Sequence, residues 1–173
     1  MKQTKAITIA PRQRVPDHHR LSREPHASNG APSEMTNEKL EHFLLYELTD
    51  DWAPIGTFDG MVAAKTPETY SRETVLETIR DLASKGYIRF GAFPSGGRSW
   101  EPWDASTDES IGRIAHGYNG LRGYLDISDD EIGSNEVFRA DLIEQGERRA
   151  SELGNPYQKY GDPWKGKPRQ VHD

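Results

Sequence analysis

The sequence predicts a small α+β domain with unstructured ends, and three observations carry that expectation. Ser71–Phe93, SRETVLETIRDLASKGYIRFGAF, reads as an amphipathic helix that stops at Gly86 and passes straight into a strand. Asn135–Leu153, NEVFRADLIEQGERRASEL, reads as a strand that breaks into a charged helix. The two ends are basic, contain proline and have no periodic apolar run, so they bury too little surface to offset the entropy of ordering. Residues 1–36 are thus assigned to a flexible N-terminal segment, 37–153 to the folded domain and 154–173 to a flexible tail.

Each element has a local reason. Thr36 is the expected cap of a first helix, whose Leu40, Phe43, Leu44 and Leu48 recur on one face. Pro54 prevents its continuation. Phe58, Met61 and Val62 suit a short second helix capped by Thr57 and weakened by Gly60. Ser71 caps the third helix, and Val75, Leu76, Ile79 and Leu82 form its inward stripe. Tyr87, Ile88, Phe90 and Phe93 make the strand, and Pro94–Gly97 the turn after it. A further helix is expected over Thr107–Tyr118, capped by Thr107, with Ile111, Ile114 and Ala115 inward. Residues 126–135 read as a polar loop, Val137–Leu142 as a strand and Glu144–Leu153 as the last helix.

Charge is uneven along the chain. Residues 1–36 are net +3, residues 37–155 net −11 and residues 156–173 net +2. An acidic body repels a phosphate backbone. There is no cysteine, which excludes disulfides and thiolate metal sites. No apolar run reaches the about 20 residues of a membrane helix, so no membrane partner is expected and the cytoplasm is the default compartment. Met35, directly before TNEKLEHF, stands beside Met1 as a candidate start.

Three motifs in this order resemble prokaryotic winged-helix regulators. Leu82–Ile88, LASKGYI, is similar to that family's exit from the recognition helix into the wing. Phe93–Arg98, FPSGGR, stands where a wing tip belongs. Leu142–Arg148, LIEQGER, is similar to the strand-to-helix junction after the wing. Two features depart from the family: Ile143 replaces the usual capping Thr, and residues 99–134 form a long insertion in the wing region. The resemblance implies a winged helix with a helical insertion and a C-terminal helix. It also implies a DNA-binding, transcription-regulator-like role, with the third helix in a major groove and the wing on an adjacent groove or phosphate.

On that reading the DNA-binding residues are Ser71, Arg72, Thr74, Thr78, Arg80 and Arg98. Arg72 would read a guanine edge, Ser71 and Thr74 would bond phosphates, and Arg98 would reach the backbone. Glu73, Glu77 and Asp81 share the same helix and would repel phosphate. The alternative is a non-enzymatic protein-interaction module that uses its acidic surface and binds no DNA. The first and last helices are candidates for a homodimer contact, although no heptad run is long enough to argue it.

Other constellations carry less. Arg12, Arg14, Arg20 and Arg23 could form a basic arm, but an unstructured tail is the simpler reading. His18, His19 and His26 lack a supporting shell for a metal. Asp126, Asp129, Asp130 and Glu131 miss the calcium-loop pattern, with Glu131 where glycine is required. Trp52, Trp100, Trp103 and Tyr118 could line a small-ligand pocket, though such aromatics more often form a satellite core. No nucleophile–base pair, phosphate loop or dinucleotide fingerprint is present, so no catalysis, metal or cofactor is expected.

Overall fold

In a computed structural model of the chain, the described residues are 37–94 and 97–165. Helix α1 (Glu38–Glu47) opens at Asn37, whose side chain accepts from the Leu40 amide at 2.7 Å. The expected cap, Thr36, lies outside the described residues. Strand β1 (Ala53–Pro54) leads directly into α2 (Ile55–Lys65). The α2 helix starts before Thr57 with Pro54 at its cap position and no side-chain cap, so the expected Thr57 cap is not used. Proline there needs none of the amide bonds that a helix start leaves unmade.

Helix α3 (Arg72–Ser84) follows the sequence closely. Ser71 caps it by accepting from the Thr74 amide at 3.1 Å. Val75, Leu76, Ile79 and Leu82 are buried. Gly86 has φ +71°, a left-handed turn that releases the chain into strand β2 (Ile88–Ala92).

The insertion then builds strand β3 (Glu101–Pro102), helix α4 (Thr107–His116) and a hairpin of β4 (Gly117–Tyr118) and β5 (Leu121–Arg122). Ser106, not Thr107, caps α4, accepting from the Glu109 amide at 3.1 Å. The helix stops at His116 rather than Tyr118, because its C-cap Gly117 takes φ +105°, and Asn119 and Gly120 then take positive φ, 50° and 79°. That pair turns the chain sharply back as a tight hairpin. Two 3-10 turns follow, Tyr124–Asp126 and Asp129–Ser134. The stretch read as a polar loop therefore has buried anchors, Ile127 and Ile132, and Tyr124 just before it is fully buried.

Strand β6 (Arg139–Leu142) completes an antiparallel sheet of order β1-β6-β2-β3. Ile88 faces Leu142, Arg89 faces Asp141 and Phe90 faces Ala140. With a side-chain period of two, Ile88, Phe90, Ala140 and Leu142 point into the core while Arg89 and Asp141 form an outer ion pair at 2.7 Å. Proline sits in both outer strands, at Pro54 and Pro102, where no inner ladder loses a donor.

Helix α5 (Glu144–Leu153) starts at Ile143 without a side-chain cap, as the sequence suggested. The assignment of a flexible tail from 154 needs correcting as far as 165. Asn155 caps a sixth helix, α6 (Pro156–Tyr160), which packs on α1 through Tyr157 against Phe43 and Tyr160 against His42. Residues 166–173 lie outside the described residues. Helix α1 is consequently buried from Leu40 through Leu45, enclosed by α2, α5 and α6, and offers little open face to a second copy.

Two glycines make opposite predictions. A Cβ on Gly146 would lie 2.2 Å from the Tyr87 carbonyl oxygen, where α5 meets the start of β2. Gly146→Ala should therefore cost about 1–3 kcal/mol in denaturant unfolding. Gly112 on α4 has nothing near its Cβ position, and Gly112→Ala should add up to about 1 kcal/mol. Equal effects at the two sites would contradict this packing.

Candidate functional site

Helix α3 holds most of the residues expected to meet DNA, and its own folding consumes several of them. The Ser71 hydroxyl is the helix cap, and the Thr74 hydroxyl donates to the Thr69 carbonyl at 3.0 Å. Thr78 is fully buried and its hydroxyl donates to the Thr74 carbonyl at 2.8 Å.

The basic residues are tied to other elements. The Arg72 guanidinium donates to the Tyr124 carbonyl at 2.5 Å, the Ile127 carbonyl at 2.6 Å and the Asp129 carboxylate at 2.6 Å. Its side chain is only 19% exposed and lies over the Tyr124 ring, 5.2 Å from the centroid. The Asp129 bond is the main reason its proton is held even more firmly than usual. Arg80 pairs with Asp108 on α4. Lys85 bridges Asp81 and the buried Glu41, each at 2.9 Å, and Arg149 of α5 reaches Glu41 at 3.2 Å. Arg98 is exposed and makes no intrachain bond among the described residues. Residues 95 and 96, in the turn expected to be a wing tip, lie outside the described residues, as do Arg12, Arg14, Arg20, Arg23, His18, His19 and His26. The six predicted residues are thus not gathered on one open face. On α3 the exposed positions are Glu73, Glu77 and Ser84.

A polar network locks the insertion down from the other side. Asp59 of α2 accepts from the Tyr124 hydroxyl at 2.5 Å and from the Tyr70 hydroxyl at 2.8 Å. Burial, then the bond to Asp59, pushes the Tyr70 hydroxyl from 10.0 up to about 12. Tyr124 is raised by the same causes in the same order. Glu131 accepts from the Ser128 hydroxyl and amide, which hold it below the usual carboxylate range, and it also pairs with Arg122 at 2.9 Å. Of the four acids that miss the calcium-loop pattern, Asp129 and Glu131 are paired with arginines. Among the described residues no group of three or more His, Asp or Glu is placed to hold a metal ion.

Two of the hollows among the described residues bear on function. One, of about 560 Å³, runs between the end of α1, β6 and α5 and carries Asp50, Asp51, Asp141 and Glu147 with no cation in its lining. The other, of about 460 Å³, lies between β3 and the β4–β5 hairpin and is walled by Phe93, Pro102, Trp103, Tyr118 and Leu121. The four aromatics grouped in the sequence are split between two places. Trp52 stacks on Trp100 at 6.3 Å on the sheet's outer face, whereas Trp103 and Tyr118 meet edge-on at 5.5 Å in the second hollow. Leu121 and Asn119 were missed by the sequence reading. The Asn119-Gly120 dipeptide was the available signal, since it marks a tight hairpin.

Arg72→Ala would leave two carbonyls without their donor, so it should cost about 2–4 kcal/mol and speed amide exchange in 124–134. Arg72→Lys should not rescue it, because an ammonium cannot match the planar three-acceptor geometry. Unchanged exchange in both variants would contradict the clamp. Because folding raises the Tyr70 hydroxyl, its contribution to stability is full below pH 10 and is lost as pH rises toward about 12. A pH-unfolding series should show this alkaline loss diminished in Tyr70→Phe. No helix among the described residues is long and apolar enough to cross a membrane. No family model, curated protein or solved structure matches the chain.

Proposed function

We propose that the chain is a non-enzymatic protein-interaction module on a winged-helix scaffold. The chain order of helix, strand, two helices and two strands, with sheet order β1-β6-β2, supports the winged-helix assignment. The insertion supports the choice of role. It packs α4 on α3 and ties the 3-10 turn Tyr124–Asp126 to the first residue of α3, where a winged helix that reads DNA would need an open face.

The observation that carries this reading is the Arg72 clamp. The cation best placed to read a base is spent on Tyr124, Ile127 and Asp129. What α3 leaves in solvent is the pair Glu73 and Glu77, which repels phosphate. The DNA-binding, regulator-like reading keeps Arg98 as a free cation beside the wing, too little for the several phosphate contacts that DNA affinity requires.

Fluorescence anisotropy of the full chain with a pool of random-sequence duplexes separates the two roles. No saturable binding is expected at low salt, and Arg80→Ala with Arg98→Ala should change nothing. Saturable binding that weakens steeply with salt and disappears in that double variant would restore the DNA role.

A further inference from the structure

The hollow between β3 and the β4–β5 hairpin has walls, free donors and charge that together specify a ligand. Its rings are rigidly held. Arg113 lies over Tyr118 at 4.0 Å and over Trp103 at 5.3 Å, and is itself anchored to Glu109 at 2.6 Å. Trp103 packs inward on Phe138 at 6.3 Å. Leu121, 45% exposed, stands at the lip on the tight Asn119-Gly120 turn. We propose that this cleft binds an extended, proline-containing basic peptide of a partner protein. The proposal rests on the interaction-module reading and names the partner's chemistry.

Three observations select that occupant. Proline-rich segments are already extended, so docking them on flat aromatic walls costs little conformational entropy. Such segments make no internal hydrogen bonds and present every carbonyl outward. The lining carries matching donors, the Trp103 indole N–H, the Tyr118 hydroxyl and the Asn119 side-chain amide, and none of these three side chains hydrogen-bonds another described residue. Strand addition, the competing mode of peptide capture, is poorly served here. The edge strand β3 is two residues long, and Pro102 has no N–H to donate.

Charge supplies the third term. Glu101 and Asp104 are exposed at the rim and carry no intrachain ion pair, whereas the cation Arg113 is already held by Glu109. Glu136 is paired with Arg139 at 2.7 Å. The rim is therefore net acidic, complementary to Lys or Arg flanking the prolines.

The test uses the full chain and a fluorescein-labelled decapeptide of prolines and leucines ending in two arginines. Control peptides carry alanine for proline, or glutamate for arginine. The proline–arginine peptide should bind roughly tenfold tighter than either control. It should shift the Trp103 indole N–H and Asn119 side-chain amide resonances. Tyr118→Ala should weaken binding roughly thirtyfold, the loss expected of an aromatic anchor. Leu121→Ser and Asp104→Lys alter exposed side chains only, so each should weaken binding several-fold with the unfolding midpoint unchanged. Equal binding of all three peptides, resonance shifts elsewhere, or binding of a small apolar dye alone would overturn the proposal. Absence of peptide binding up to millimolar concentration would also overturn it while leaving the interaction-module reading intact. That reading falls only on the separate duplex titration.

Discussion

A guanidinium at the first turn of a helix sits at the positive end of the helix dipole, where a cation is unfavourable. Arg72 occupies that position with its side chain only 19% exposed, and two carbonyls and one carboxylate offset the dipole and the loss of water. Three separate parts of the chain depend on that arrangement. It ends the insertion's path at Tyr124–Asp129, it places Tyr124 where its hydroxyl meets Asp59, and it decides which side of α3 is closed. Remove it, and the Tyr124–Asp129 segment loses its hydrogen bonds to α3, while α4 keeps its own tie through Arg80 and Asp108.

The three-helix and ribbon portion was legible because each element carried its own local signal. The Val75–Leu82 stripe, the left-handed Gly86 and the aromatic strand after it need no distant partner to be read. The pairing of Ile88–Gly91 with Arg139–Leu142 was legible in outline from the same patterns. The candidate site was not. Arg72 and Arg80 look like surface cations in sequence, and only the return of the chain through Tyr124–Asp129 and Asp108 turns them into internal ties. Buried Glu41 and His42 were illegible for the same reason. Glu41 is stabilised by Lys85 and Arg149 from two other helices, and the His42 Nε2–H donates to the Gly154 carbonyl at 2.9 Å. Position along α1 alone said nothing of these partners. The sixth helix escaped notice because five residues are too few to show a period.

Much of the acid excess of the folded part is also distributed in a way composition conceals. Several carboxylates are consumed in holding elements together: Glu41 between α1, α3 and α5, Asp141 across the ribbon, and Asp59 beneath two tyrosines. Of the others, Asp50, Asp51 and Glu147 line one hollow, Glu101 and Asp104 the other, and Glu73 and Glu77 stand in solvent on α3. A formally acidic chain thus presents negative potential at chosen places rather than uniformly, which favours selectivity over general repulsion.

The insertion precedes β6 in the chain, and this sets an order during synthesis. When Ala92 leaves the ribosome, β2 has no inner neighbour, and the apolar stripe of α3 is only partly covered. Tyr124, Ile127 and Asp129 emerge before Arg139, so the docked flap can form first and shelter α3 while the sheet is still incomplete. By drawing the chain back across the helix, it also shortens the effective loop that β6 must close to reach β2.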